Sequence, residues 1–327
     1  MNDPLVSIIV PVYNAENFIE KCATTLFEQD YDNIEYIFVN DCTPDNSISV
    51  LKEIIEKYPN RKSSIKIINK EKNEGLTQAR KTGLENSNGE YIMHIDSDDW
   101  VELDMVSSLV KEAIKTDADI ICFDYFINFS IREIKKKSLN RHYENNIEMI
   151  KDLLSGYING FLWTKFVKME IYKKIKFPNF QYLEDVYLTA QLFYYTNNIE
   201  YFNKNLYHYN QINLNSITKE GLNNKAINDW REFYKTLTCF LKESDLENFK
   251  ININIMMAFI IIANSNGNSK KLFDTICPSA NSIKYIWKNK SLDFIKKIVF
   301  SLPFLHLEWL YVIIKKFYKA IKKRIHD

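Results

Sequence analysis

The chain has 327 residues, of which 46% are hydrophobic and 26% charged, enough for two domains or one large domain with an extension. Its 43 basic and 42 acidic residues nearly cancel, which argues against general affinity for nucleic acid. With only 7 Gly and 7 Pro, long disordered linkers are excluded as well.

Leu5 to Val12 is apolar apart from Ser7 and Pro11 and rich in β-branched residues, which predicts a strand buried on both faces of a parallel sheet. Tyr13-Asn14-Ala15-Glu16 is a turn, and Phe18, Ile19, Cys22, Leu26 and Phe27 recur at helical spacing. A second strand, Ile34 to Val39, stops on Asn40-Asp41, and a helix from Asn46 to Tyr58 follows. Ile65 to Ile68 reads as a third strand, Leu76 to Leu84 as a helix, and Tyr91 to Ile95 as a fourth strand. Alternating strands and helices predict βαβ units, hence an α/β fold with a mostly parallel sheet. A fifth strand is expected over Asp119 to Phe123, and Arg132 to Lys137 is an exposed charged stretch.

Three of these strands end in polar groups: Tyr13-Asn14, Asp41, and Asp96-Ser97-Asp98-Asp99. In a parallel sheet they share one edge, where open α/β folds bind ligands. Carboxylates this close repel one another and call for a cation. Hard oxygen ligands suit Mg2+ or Mn2+, usually shared with substrate phosphates. No Gly-x-Gly-x-x-Gly follows the first strand and no Gly-Lys-Ser/Thr loop is present, so neither the usual dinucleotide site nor a P-loop is expected. The cysteines Cys22, Cys42, Cys122, Cys239 and Cys277 are scattered, as reduced thiols of a cytoplasmic protein would be. Met1-Asn2-Asp3-Pro4 lacks the basic start of a signal peptide.

Four motifs in register carry a resemblance: Val6-Ser7-Ile8-Ile9-Val10-Pro11-Val12-Tyr13-Asn14; Val39-Asn40-Asp41-Cys42-Thr43-Pro44-Asp45; Asn73-Glu74-Gly75-Leu76 with Ala79-Arg80; and Asp96-Ser97-Asp98-Asp99. In order and spacing this resembles the family-2 glycosyltransferases of the GT-A fold, over residues 5 to 217. The family's Asp-Asp-Gly-Ser run corresponds to Asn40-Asp41-Cys42-Thr43 here, so the second Asp is kept and the Gly is lost. The resemblance implies that Pro11 and Tyr13 line a base pocket and that Asp41 accepts a hydrogen bond from a uracil N–H, which suits a carboxylate. It places Arg80 near the base or pyrophosphate, Asp96 at the ribose or the metal, and Asp98 on the metal. Simple packing is the other reading of Tyr13, a turn or cap that of Asp41, and a solvated helix face that of Arg80. Asp99 either holds the loop or supports a ligand. His94, inside the fourth strand, is a packed or solvent-facing residue.

Further on, Gly160-Phe161-Leu162-Trp163-Thr164-Lys165-Phe166 and Leu183-Glu184-Asp185-Val186 fall where the family has a Trp-x-Lys segment and an acidic pair. Trp163 either stacks on a sugar ring or fills the core. Lys165 is structural or lies near a phosphate. Glu184-Asp185 opens a helical run, and anions at a helix N-terminus are stabilised in the unprotonated form a general base needs. The resemblance points to Asp185 as the base with Glu184 in support, and allows His208 to complete a metal shell. Leu206-Tyr207-His208-Tyr209 and Asn215-Ser216-Ile217 close the recognisable region.

Residues 218 to 327 read as a helical C-terminal region, with Trp230, Phe233, Leu237 and Phe240 on one stripe. From Lys284 onward lysines dominate over Asp293, Glu308 and Asp327, around an apolar run from Ile298 to Ile314 interrupted by Pro303. Its Glu and Pro make it a poor membrane span. An interfacial helix fits it better, with Trp309, Tyr311 and Phe317 at headgroup level. The expected activity is inverting transfer of a sugar from a nucleotide-diphospho-sugar, UDP-linked, to a hydroxyl of a glycan or lipid-linked acceptor. It would take place in the cytoplasm or at the inner face of the cell membrane. The rival readings are a sugar nucleotidyltransferase and an inactive membrane-associated binding partner of the same fold.

Overall fold

The structure, a computed structural model, describes residues 3–213 and 222–326, without the side chains of Lys319 and residues 321–326. Asn215-Ser216-Ile217 lie outside the described residues. The chain forms two compact units, residues 1–147 with 159–219, and residues 148–158 with 220–327.

The first unit opens with β1 (Val6–Val12), every residue of which is buried. In order follow α1 (Ile19–Phe27), β2 (Ile34–Asn40), α2 (Ser47–Lys57), β3 (Ile65–Asn69), α3 (Leu76–Glu85) and β4 (Tyr91–His94). These are the expected strands and helices, with ends shifted by a residue or two. β1 pairs in parallel with β2 and β4, and β2 with β3. Ile8, Val10 and Val12 pack with Ile19, Cys22, Leu26, Leu51 and Ile54 of α1 and α2. On the other face Ile37 and Val39 meet Ala79 of α3. Each large aliphatic side chain buried this way contributes about 1.5–3 kcal/mol of transfer free energy.

Along the chain then come β5 (Trp100–Val101), α4 (Met105–Thr116), β6 (Ile120–Asn128), β7 (Glu133–Lys136), α5 (Asn146–Leu154), most of which belongs to the second unit, β8 (Lys165–Lys168), α6 (Met169–Tyr172), α7 (Glu184–Tyr194) and β9 (Ile199–Asn210). Strand order is β3-β2-β1-β4-β8-β6-β9-β5, with β7 on β6. β8 runs antiparallel to both β4 and β6, while β6 and β9 are parallel. Reversed β8 thus joins the parallel β3-β2-β1-β4 block to the parallel pair β6–β9, on which β5 and β7 lie antiparallel. The expected fifth strand, β6, is therefore separated from β4 by β8. The charged stretch at 132–137 is the exposed strand β7.

In the second unit, α8 (Asn224–Glu243) starts where the Asn223 side chain accepts from the Ala226 N–H at 2.8 Å. It buries Trp230, Phe233, Leu237 and Phe240, the expected stripe. α9 (Lys250–Asn264) is buried along most of its length, with α10 (Ser269–Ile276), α11 (Ile283–Lys288) and α12 (Phe294–Ser301) packed around it. The run from Ile298 to Ile314 is not one helix. α12 ends at Ser301, a 3₁₀ turn Leu302–Leu305 containing Pro303 follows, and α13 (Glu308–His326) begins afresh. No helix among the described residues is long and apolar enough to cross a membrane.

Candidate active site

The loops after β1 and β2 leave the sheet side by side, since Val12 pairs with Asn40. They are laced together by the Asn14 N–H to Thr43 Oγ1, the Ala15 N–H to Ser47 Oγ and the Glu16 N–H to Asp45 Oδ2, all at 2.9 Å. Cys42 occupies the position of the family's glycine and adopts φ 56°, the left-handed conformation glycine would accept without strain. Cys42 is exposed, so little packing offsets that strain. Cys42→Gly is therefore expected to raise stability by about 0.5–1 kcal/mol, the strain relieved less the entropy added to the unfolded chain, read from the urea midpoint.

Asp41 is buried at the foot of this loop. Its Oδ1 accepts from the Glu74 N–H at 3.0 Å and its Oδ2 from the Gly75 N–H at 2.7 Å. Lys70 Nζ lies 3.1 Å from Oδ1. Gly75 has φ 87°, which aims these two amides at the carboxylate. A carboxylate offers about four lone-pair sites, so a further donor still fits. Tyr13 is exposed and Pro11 buried at the same strand end, so Tyr13 is not a core residue.

Arg80 carries the centre of the site. It is 2% exposed, so it does not lie on a solvated helix face. Its Nη1 lies 2.6 Å from Glu184 Oε1 and its Nη2 lies 2.7 Å from Asp96 Oδ1. One guanidinium thus ties the end of β4 to the first residue of α7. Burial works against its charge, but Asp96, Glu184 and Asp185 overcome this and hold its pKa above the usual value. Burial pushes the Glu184 carboxyl up, as does repulsion from Asp185, while Arg80 pulls it down. Asp185 is likewise raised by burial, against Arg80 and Lys165. The backbone at Gly160 allows α7 to start here: a Cβ on it would stand 2.7 Å from Val186 Cα and 2.8 Å from Val186 N.

The acidic loop after β4 is held from β9. Tyr207 Oη donates to Asp99 Oδ2 at 2.5 Å and accepts from the Asp96 N–H at 3.1 Å. The Asn210 N–H donates to Asp99 Oδ1 at 2.7 Å, and its Nδ2 donates to the Asp98 carbonyl at 3.0 Å. Asn213 Nδ2 donates to Asp98 Oδ2 at 2.7 Å. Asp99 is buried, and burial with repulsion from Asp98 and Asp96 raises its pKa well above normal. Its role is to hold the loop. Asp99→Ala would strand the Tyr207 hydroxyl and the Asn210 amide, and is expected to cost about 2–4 kcal/mol in urea unfolding. No motif gives Tyr207, Asn210 or Asn213 a role, because their partners lie 108, 111 and 115 positions away.

Trp163 is buried and stacked between Phe161 at 4.6 Å and Tyr207 at 4.4 Å, so it fills the core behind the loop. Lys165 Nζ donates to the Phe161 carbonyl at 2.6 Å, a structural contact. His94 is packed inside, edge-on to Tyr172 at 5.5 Å. His208 stacks between Trp100 and Phe126, its Nε2 2.8 Å from Glu102 Oε1 and its Nδ1 3.2 Å from Asn128 Oδ1. Both ring nitrogens are committed to protein oxygens, at odds with the metal role expected for this residue.

Mg2+ or Mn2+ shared with substrate phosphates needs only one or two protein carboxylates. The carboxylates of Asp98 and Asp96 are hard oxygen donors of that kind. Among the described residues no group of three or more His, Cys, Asp or Glu side chains forms an all-protein cage. The residues fit an ion shared with a diphosphate and not a closed structural site.

Residues 7–175 match the family model for glycosyl transferase family 2. The chain belongs to that family. This family-2 chain is 29% identical over 299 residues to the putative glycosyltransferase EpsH of Bacillus subtilis, covering 84% of this chain and 82% of that one. It is 28% identical over 175 residues to the minor teichoic acid biosynthesis protein GgaB of Bacillus subtilis, covering 52% of this chain and 19% of that one. Its fold is similar to the crystal structure of S. aureus TarS 1-349 in complex with UDP-GlcNAc. The TM-score is 0.68 at 17% identity, over 97% of this chain and 92% of that one. The GT-A fold expected from the sequence is thereby shown, as is a glycosyltransferase of family 2.

Proposed function

We propose that residues 1–217 form the catalytic domain of an inverting glycosyltransferase. It would move a sugar from a UDP-linked donor to a hydroxyl of a growing glycan or lipid-linked acceptor in the synthesis of a surface polysaccharide, on the cytoplasmic side. The observation that carries this is the Asp96–Arg80–Glu184 chain, which locks the strand-end acids to the helix start bearing Asp185. The bound TarS donor supports the UDP reading, and the GgaB relationship supports a surface-polymer acceptor. Five free cysteines support a cytoplasmic setting.

Asp41, with one lone-pair site to spare, accepts from the uracil imide, and Pro11 and Tyr13 line the base. Asp98, with Asp96, would hold Mg2+ or Mn2+. That ion, when bound, offsets the charge of the departing diphosphate. Arg80 has both arms occupied, so it acts on the donor by fixing Asp96 and Glu184. Asp185 takes the proton from the acceptor hydroxyl while that oxygen bonds to the anomeric carbon. The bond from that carbon to the diphosphate oxygen breaks, and UDP leaves with the electron pair. A single displacement inverts the anomeric centre, with no covalent enzyme intermediate. Glu184 supports the base by pairing with Arg80. A thermal-shift screen of UDP-, GDP- and dTDP-sugars, with and without Mn2+, tests the donor: a UDP-sugar should stabilise most, and more with Mn2+. A larger shift from a GDP- or dTDP-sugar would reject the UDP assignment.

A further inference from the structure

More than half of the large apolar side chains exposed among the described residues lie between Trp287 and Tyr318. They are not scattered. On α13, Trp309, Ile313 and Phe317 follow at four-residue spacing, so they share one stripe of the helix. All three are exposed, at 62%, 55% and 69%. Tyr311, on the other side, is buried, and its hydroxyl donates to the Ile262 carbonyl of α9 at 2.9 Å. Among the described side chains the solvent face of this helix is therefore largely apolar, the reverse of a globular surface helix. On α12, Phe294 and Ile298 share a stripe by the same spacing, and both are exposed together with Ile295. Phe300 of α12 and Tyr311 of α13 meet edge-on at 5.7 Å, which ties the two helices together.

Lysines outnumber acids around this face. Lys288, Lys290 and Lys316 are exposed. The acids between Lys284 and Tyr318 are Asp293 and Glu308. Asp293 pairs with Lys296 at 2.8 Å, and Glu308 accepts from the Ser269 N–H at 2.7 Å. Lysine is depleted in protein–protein interfaces. Near an anionic bilayer each lysine adds attraction, and Trp and Phe settle at headgroup depth. We infer that the exposed faces of α12 and α13 form a docking surface for an anionic lipid bilayer, with the aromatic and aliphatic side chains entering the headgroup–acyl boundary.

Co-sedimentation of the full chain with phosphatidylcholine vesicles, with and without phosphatidylglycerol, tests this. The measurement uses no donor and no metal, so its result is independent of the transfer reaction. Binding should be at least about tenfold tighter with phosphatidylglycerol and should weaken as salt rises. Phe294→Glu combined with Trp309→Glu should lower it at least about tenfold, with unchanged circular dichroism because both positions are exposed. Lys288→Gln with Lys316→Gln should reduce the preference for phosphatidylglycerol. The inference is overturned if the chain ignores anionic vesicles or if the Phe294/Trp309 variant binds as well as the parent. It is also overturned if that variant turns a dimer into a monomer by analytical ultracentrifugation while the parent binds no vesicles. That result would assign the face to a second copy of the chain.

Discussion

Asp185→Asn should lower kcat by about 10²–10⁴-fold, the usual contribution of a general base, with little change in donor affinity. Asn cannot take the proton but keeps the shape, and the Asp185 Oδ1 contact with the Val186 N–H at 2.9 Å can be kept by its carbonyl oxygen. Stability should therefore change little, which separates a chemical defect from a folding one. The pH profile adds a second signature. A base works only when unprotonated, and burial raises the Asp185 carboxyl above its ordinary range. Burial and the charge of Asp185 push the Glu184 carboxyl beside it up as well. Activity should thus fall on acidification well above the ordinary carboxylate range of about 4, and the residual activity of Asp185→Asn should lose that limb. Stability moves the other way. Folded-state pKa values above the unfolded ones mean that ionising the pair costs stability as pH rises through that range.

Arg80→Leu should cost about 3–5 kcal/mol, measured as a fall in the urea midpoint. The loss of the cation leaves buried Glu184, with half-buried Asp96 and Asp185 beside it, with nothing to offset their charge. The guanidinium reaches two carboxylates on different elements with two different nitrogens, a geometry a single ammonium cannot copy. Arg80→Lys should accordingly recover only part of the loss. Because the cost is carboxylate repulsion and desolvation, the deficit should shrink on mild acidification, when the acids take up protons. A simple loss of packing would not show that dependence.

The strand–helix alternation from Val6 to His94 was readable because each strand is buried on both faces and each helix shows an apolar stripe. The acids at the strand ends were readable because β1, β2 and β4 are parallel and end on one edge. What lay beyond reach was pairing across distance. Arg80 looks like one charged residue on a helix, and its partner Glu184 is 104 positions away. Tyr207 bridges Asp99 and Asp96 across 108 and 111 positions, and nothing local in either segment announces it. β8 was missed because Lys165-Phe166-Val167-Lys168 is too short to show a period. The fate of His208 turned on Glu102 and Asn128, which no motif names.

The central claim is that Asp98 and Asp185 perform sugar transfer from a nucleotide donor. The most direct test is UDP release from UDP-sugars with Mn2+ and a glycan acceptor, for the parent chain, Asp98→Asn and Asp185→Asn. Release by the parent chain and a loss of about 10²-fold or more in each variant, with folding intact, are expected. Release that survives both substitutions would contradict it.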